Sequence, residues 1–326
     1  MPHRPQPQDS LITHDPSSGL IVTPGLEKML RMARKIASTN RPLLITGETG
    51  TSKGVLAHWI RAHSSRWDKP CQRINCGNLQ GEVGHAMLFG TVEGGFTGAR
   101  KAVGILSQCN GGTLIMDDLD ALTVTAQTAI LDILDTGQIR PIGGPEQRQV
   151  VDVRFIFTSN RQLKGYDAPP DFRPDLYYRI RHAVLHIPSL RERRQDIPLL
   201  ARHILDKLKL EHDPNGDEPW SLEQEAMEYL REQPWQGNYR DLQFYLEHVA
   251  NFHDNQCTLI TLKHLFDAEN LLSGNQQRPG TTPKDDELFA TLNRLNWNIS
   301  LTAKRTGMCR GTIYNRINRN GWTRPR

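Results

Sequence analysis

The apolar run Leu43-Leu44-Ile45-Thr46 breaks into Gly47-Glu48-Thr49-Gly50-Thr51-Ser52-Lys53-Gly54 and then into a helical pattern carried by Val55, Leu56, Trp59 and Ile60. Strand, glycine-bearing turn and helix in immediate succession is the layout of a phosphate-binding loop. Its successive backbone N–H groups and the helix N-terminus together form a positive concavity for polyphosphate oxygens. Lys53 would add a point charge at the β- and γ-phosphates. The fit to G-x-x-x-x-G-K-[ST] is incomplete, because Ser52 stands at the last glycine and Gly54 where a hydroxyl would hold Mg²⁺. Taken alone, the stretch also fits a plain strand–turn–helix with a solvated lysine.

A second run, Gly112-Thr113-Leu114-Ile115-Met116, ends in Asp117-Asp118. A buried strand delivers such a pair to the carboxyl edge of a parallel sheet, where a phosphate loop also opens. In a P-loop NTPase the first acid, Asp117, binds Mg²⁺ through water and the second, Asp118, polarises the attacking water. Phe155-Ile156-Phe157-Thr158-Ser159-Asn160 is another buried-strand pattern, and it brings Asn160 to the same edge, in reach of a γ-phosphate or of that water. Phe172-Arg173-Pro174-Asp175-Leu176-Tyr177-Tyr178-Arg179 carries two guanidiniums. Offered to a neighbour's nucleotide in a ring, Arg173 and Arg179 would stabilise transition-state charge.

Strand candidates at 72–75, 113–116, 153–158 and 184–187 alternate with helical patterns, beginning with an amphipathic helix over 26–37. The alternation predicts an α/β fold, a parallel sheet with helices on both faces. Beyond Arg193 the pattern is helical throughout (Ile197, Leu200, Ile204 and Leu208; then 222–230 and 241–249). Residues 273–284, rich in Gly, Gln, Thr and Pro, read as a linker.

Composition bounds the function from outside. The 326 residues contain no apolar run able to span a bilayer, and the first eighteen, rich in Pro, Gln and Ser, lack the apolar centre of a secretion signal. The five cysteines, Cys71, Cys76, Cys109, Cys257 and Cys309, form no C-x-x-C pair and no zinc-ligand spacing, which fits reduced thiols in a cytoplasmic protein without a membrane role. The net charge is only +4, but no acidic residue follows Glu287, while eight Lys or Arg do. In that basic tail Gly307 separates two short helical patterns, which suits a helix-turn-helix. It would offer Arg310, Thr312, Tyr314, Asn315 and Arg316 to a DNA major groove and Arg319 to phosphates.

Gly94-Gly95-Phe96-Thr97-Gly98-Ala99 sets one aromatic among small residues, as a loop tip made for contact rather than for a core. This stretch resembles the G-A-F-T-G-A loop of the sigma-54-dependent transcription activators, or bacterial enhancer-binding proteins, a branch of the AAA+ ATPases. The resemblance extends through Asn75-Cys76, Leu88-Phe89-Gly90, the acidic pair, residues 172–179, Pro188-Ser189-Leu190-Arg191-Glu192-Arg193 and Trp235-Gln236-Gly237-Asn238-Tyr239-Arg240.

The resemblance implies an AAA+ α/β subdomain over 20–192, a helical lid over 193–272, the linker, and a Fis-type DNA-binding domain over 285–326, after a disordered lead of 1–19 too short for a receiver domain. It implies ATP and Mg²⁺ as ligands and Asn75 as the residue restraining the catalytic acid. Arg173 and Arg179 become fingers supplied across subunits, and Arg240 the lid's nucleotide sensor. Gly94, Gly95, Phe96, Thr97, Gly98 and Ala99 become the contact with sigma-54 RNA polymerase, and residues 136–152 a second pore loop that moves with the first. The expected partners are that polymerase, upstream double-stranded DNA, further copies or a paralogue in a hexameric ring, and a regulatory protein acting in trans.

Departures from the family pattern qualify the expected turnover. Ser52 replaces glycine, and a side chain there strains the loop if φ is positive. Gly54 replaces an acid, Met87 a glutamate and Gly95 an alanine. Asp118 replaces a glutamate, which draws the base back by one methylene. A DNA-binding regulator with a non-hydrolysing AAA+ domain is the alternative these departures leave open.

Overall fold

The computed structural model of the chain describes residues 14–15, 18–95, 100–144, 148–163, 168–212, 218–253, 258–272, 285–308, 313–314, 316–317 and 320–323. The chain divides into two compact units, Met1–Ser189 and Leu190–Arg326. No helix among the described residues is long and apolar enough to cross a membrane.

The first unit is a five-stranded, all-parallel sheet: β1 (Leu43–Thr46), β2 (Cys71–Asn75), β3 (Thr113–Asp117), β4 (Arg154–Ser159) and β5 (Val184–His186), in spatial order β5-β1-β4-β3-β2. The central strands read as unbroken apolar runs because both of their faces are covered. Successive residues serve opposite faces. Leu43, Ile45, Ile115 and Ile156 pack with α1 (Glu27–Ala37) and α2 (Lys53–Ala62) through Ala33, Leu56, Trp59 and Ile60. Leu44, Leu114, Met116, Phe155 and Phe157 pack on the other face with Leu88 of α3 (Gly81–Phe89), Ile130 and Ile133 of α4 (Val124–Thr136), and Leu176 and Ile180 of α5 (Pro174–Ile180).

Register then aligns the strand ends. Asn75 pairs with Asp117 across β2–β3, and Thr46 with Ser159 across β1–β4, so the polar C-termini of four strands meet at one edge. Arg154, at the opposite end of β4, is buried and donates to the carbonyls of Ala37 and Ile36 at 2.8 and 3.0 Å, satisfying the C-terminus of α1.

The second unit contains α6 (Ile197–His212), α7 (Gln224–Glu232), α8 (Asn238–Phe252) and α9 (Leu262–Leu272), with the parallel pair Ser221–Leu222 and Leu259–Ile260. Fully buried Asn238 (φ +56°) opens α8, and its Oδ1 accepts the Leu190 N–H at 2.7 Å. The Trp-Gln-Gly-Asn stretch is thus a fastening for the first residue of this unit. Further along the chain, α10 (Asp285–Arg294) and α11 (Ile299–Thr306) are followed by Gly307 in the left-handed region at φ +68°. Leu288, Leu292, Met308 and Ile313 form a small buried cluster there with Trp297, Ile317 and Trp322 around it. The proposed linker, most of the proposed N-terminal lead, and Cys257 and Cys309 lie outside the described residues.

Candidate functional site

The loop between β1 and α2 has Gly47, Gly50 and Ser52 at φ +153°, +78° and +71°. A Cβ on Gly47 would stand 2.8 Å from the Ile187 carbonyl, so that position requires glycine. Ser52 carries a side chain in the left-handed region, which costs about 1–2 kcal/mol, and it makes no side-chain cap for α2. Thr51 ties the turn by donating its hydroxyl to the Glu48 carbonyl at 2.7 Å. Lys53 is buried, and its Nζ donates to the carbonyls of Gly47 and Glu48 at 2.8 and 2.9 Å and to Asn160 Oδ1 at 2.7 Å.

From Lys53 a single chain of hydrogen bonds crosses the sheet edge. Asn160 Nδ2 donates to Asp118 Oδ1 at 2.7 Å, Asn75 Nδ2 donates to Asp118 Oδ2 at 2.7 Å, and the Gly77 N–H donates to Asn75 Oδ1 at 2.8 Å. Asp118 sits at φ +55°, a region that aspartate tolerates better than most residues. Its short side chain still reaches both asparagines. The structure thus brings together Lys53, Asn160, Asp118 and Asn75, which are separated by as many as 107 positions.

Three residues that sequence reasoning missed complete the site. Thr158 donates its hydroxyl to Asp117 Oδ1 at 2.8 Å and accepts the Asp118 N–H at 3.3 Å, fixing both acids to β4. Asp120 Oδ1 accepts the Ser159 hydroxyl at 2.8 Å and the Asn160 N–H at 3.2 Å, setting the asparagine's position. Arg73, on the edge strand β2, donates from Nε to Asp117 Oδ2. The run Asp117-Asp118-Leu119-Asp120 and the polar pair Gln72-Arg73 inside a strand were the available signals.

Burial, and after it the Arg73 guanidinium, pull His58 on α2 below the ordinary histidine pKa. Burial, with Asp117, Asp118 and Asp120 around it, pushes the Cys76 thiol upward, which keeps it protonated and unreactive.

Within the first unit, Arg173 and Arg179 are engaged by other partners. Arg173 binds Asp175 through Nε and a terminal nitrogen (3.0 and 2.6 Å), which holds the Asp175 carboxyl below its usual range, and it donates to Thr128 Oγ1 at 2.7 Å. Arg179 pairs with Asp135 at 2.8 Å and donates to the Leu134 carbonyl at 3.0 Å. Both therefore lie on the surface that α4 and α5 share. Arg240 is exposed on the first turn of α8 in the second unit.

Gly94 and Gly95 end a described segment, and Phe96, Thr97, Gly98 and Ala99 lie outside the described residues. The base of that loop is fastened to the ribbon of Gln138–Ile139 and Gln149–Val150: Val92 N–H donates to the Ile142 carbonyl at 3.1 Å and Ile142 N–H to the Gly90 carbonyl at 3.0 Å. A Cβ on Gly95 would lie 2.6 Å from the Ile142 carbonyl oxygen. In the C-terminal segment Tyr314 is 53% exposed, and Arg316 donates to Asp285 Oδ1 at 3.1 Å. Arg310, Thr312, Asn315 and Arg319 lie outside the described residues.

The donor set fits a nucleotide with magnesium. Gly50 and Ser52, both at positive φ with Thr51 between them, give this part of the loop the alternation of an anion nest. Among the described residues no group of three or more His, Cys, Asp or Glu forms a cage; Mg²⁺ characteristically takes one or two carboxylates together with phosphates and water. Asp117 supplies such a carboxylate, although Arg73 and Thr158 engage its two oxygens.

Comparison with known proteins identifies the two domains. Residues 20–186 match the sigma-54 interaction domain, and residues 191–297 match the AAA+ ATPase lid domain. The alginate biosynthesis transcriptional regulatory protein AlgB of Pseudomonas aeruginosa is 34% identical over 81% of this chain and 57% of its own length. The C4-dicarboxylate transport transcriptional regulatory protein DctD of Rhizobium meliloti is 37% identical over 70% of this chain and 49% of its own length. The chain thus spans about half the length of these two relatives. The crystal structure of NtrX from Brucella abortus in complex with ATP superposes with a TM-score of 0.64 at 28% identity, covering 92% of this chain and 68% of that one.

Proposed function

Because the chain belongs to the family of AAA+ proteins built on the sigma-54 interaction domain, we propose that it is a sigma-54-dependent transcription activator. It binds upstream DNA, assembles into a ring, and uses ATP to remodel the closed complex of sigma-54 RNA polymerase. The observation that carries this reading is the bond chain Lys53–Asn160–Asp118–Asn75, which ties the phosphate loop to the second acid. Lys53 would turn from the loop carbonyls to phosphate oxygens, and Asn160, freed at its Oδ1, would orient the attacking water. Asp118 would accept hydrogen bonding from that water once Asn75 releases it. Bound Mg²⁺ would neutralise charge on the β- and γ-phosphates, with Asp117 as its protein-side anchor.

Arg173 and Arg179 are taken as fingers for a neighbouring subunit's nucleotide, which requires each to leave its present carboxylate. Arg240 is taken as the lid's sensor. The Gly94–Ala99 loop, with Phe96 and Thr97 at its centre, is the segment proposed to grip sigma-54, and the ribbon bonded to its base is proposed to move with it. The buried cluster around α10, α11 and Gly307 supports a Fis-type helix-turn-helix for the tail.

The test is transcription in vitro from a sigma-54 promoter. The wild type is expected to give transcript only with ATP, and Phe96→Ala to give none. Equal output from both proteins would overturn the assignment. One observation favours a second reading, a regulator that holds nucleotide without turning it over: Arg73 is seated on the very carboxylate that Mg²⁺ needs. Hydrolysis by the wild type no faster than by Lys53→Ala would decide for that reading.

A further inference from the structure

Arg73 has no role in the mechanism above, yet it lies at its centre. Its Nε donates to Asp117 Oδ2, and Thr158 takes the other oxygen at 2.8 Å. The carboxylate is largely buried, 13% exposed, whereas Arg73 remains 51% exposed. The guanidinium therefore lies at the rim with room to move. What lets it lie there is Gly54: a Cβ at that position would collide with the terminal nitrogen of Arg73. A glycine at the first turn of α2 and an arginine on the edge strand are thus complementary in shape, and together they put a permanent cation against the acid.

We propose that Arg73 is a resident counter-cation of Asp117, seated in the space left open by Gly54, and that it lowers the site's preference for magnesium-bound over metal-free nucleotide. The inference rests on the nucleotide-site reading. A charge already paired with a guanidinium gives less in exchange for a metal ion. In the absence of metal the same guanidinium offsets the repulsion between Asp117 and phosphate oxygens. Both effects act in one direction on the ratio of metal-free to magnesium-loaded dissociation constants. Arg73 acts through Asp117, so it is a positioning residue. A merely structural arginine would shift both constants together and leave their ratio alone.

The experiment is equilibrium binding of a fluorescent ATP analogue to the full chain, once in excess Mg²⁺ and once in EDTA. In Arg73→Gln the ratio of the two dissociation constants is expected to rise about fivefold, the upper range for a partly exposed ion pair. Gly54→Ala should raise it similarly, because the far end of a flexible side chain yields to a methyl group, and should add nothing further in an Arg73→Gln background. An unchanged ratio in Arg73→Gln would overturn the proposal while leaving the nucleotide site standing. An equal effect of Gly54→Ala with and without Arg73 would overturn the shape argument. Failure of the wild type to bind nucleotide under either condition would overturn the reading of the site itself, and this inference with it.

Discussion

Lys53 and Asn160 are joined at 2.7 Å although 107 positions separate them. The bond exists because β1 and β4 are neighbours in register, Thr46 opposite Ser159, so the residues that follow each strand meet at the same edge. Asn160 accepts from the lysine and donates to Asp118, and it thus links the phosphate loop to the second acid.

Removing that link should separate binding from turnover. In Asn160→Ala, kcat for ATP is expected to fall about 100-fold, the scale of losing one oriented polar group at a reacting centre. The nucleotide dissociation constant should move no more than about threefold, since Lys53 and the loop amides remain. Steady-state kinetics with a parallel binding titration checks both. An unchanged kcat would show that Asn160 only braces the fold.

Ser52 holds φ +71° without a side-chain hydrogen bond to its helix. Relief of left-handed strain, about 1–2 kcal/mol, outweighs the extra chain entropy of glycine, about 0.5–1 kcal/mol. Ser52→Gly should therefore stabilise the protein by about 0.5–1 kcal/mol, read as a higher urea midpoint at constant slope. A lower midpoint would contradict this account of the loop.

At Gly95 the family's usual alanine should be harmful in this chain. Its Cβ would meet the Ile142 carbonyl oxygen at 2.6 Å and Thr91 Oγ1 at 2.8 Å, a collision with backbone that side-chain rotation does not relieve. Gly95→Ala is expected to cost about 1–3 kcal/mol and to speed hydrogen exchange at the Val92 and Ile142 amides, which fasten loop to ribbon. Unaltered exchange at both amides would show that the loop base is not packed in this way.

These cases also mark what the sequence made legible. The strands β1, β3 and β4 are legible because a sheet covered on both faces needs continuous apolar runs, and their polar ends, Asp117, Asp118 and Asn160, mark the edge where the phosphate loop opens. Asn75 was reachable only by family resemblance, since nothing in its own segment reveals a bond to Asp118, 43 positions away. Thr158, Asp120 and Arg73 escaped for the same physical reason: each acts through a contact between strands, which local periodicity does not encode. At Ser52 strain depends on the sign of φ, which the sequence does not encode and the backbone sets at +71°. Gly54 takes its meaning from Arg73, which lies against it from a strand 19 positions away.

ATP turnover measured as a function of subunit concentration reports most directly whether hydrolysis occurs at subunit seams. Arg173 and Arg179 bond to Asp175, Thr128, Asp135 and Leu134, away from the chain's own Lys53 network. If they complete a neighbour's site, turnover per subunit must rise steeply as copies associate, and mixing Lys53→Ala with Arg179→Ala, each inactive alone, must restore part of it. Turnover per subunit that stays constant across the range, with no restoration on mixing, would contradict the proposal that hydrolysis occurs at subunit seams.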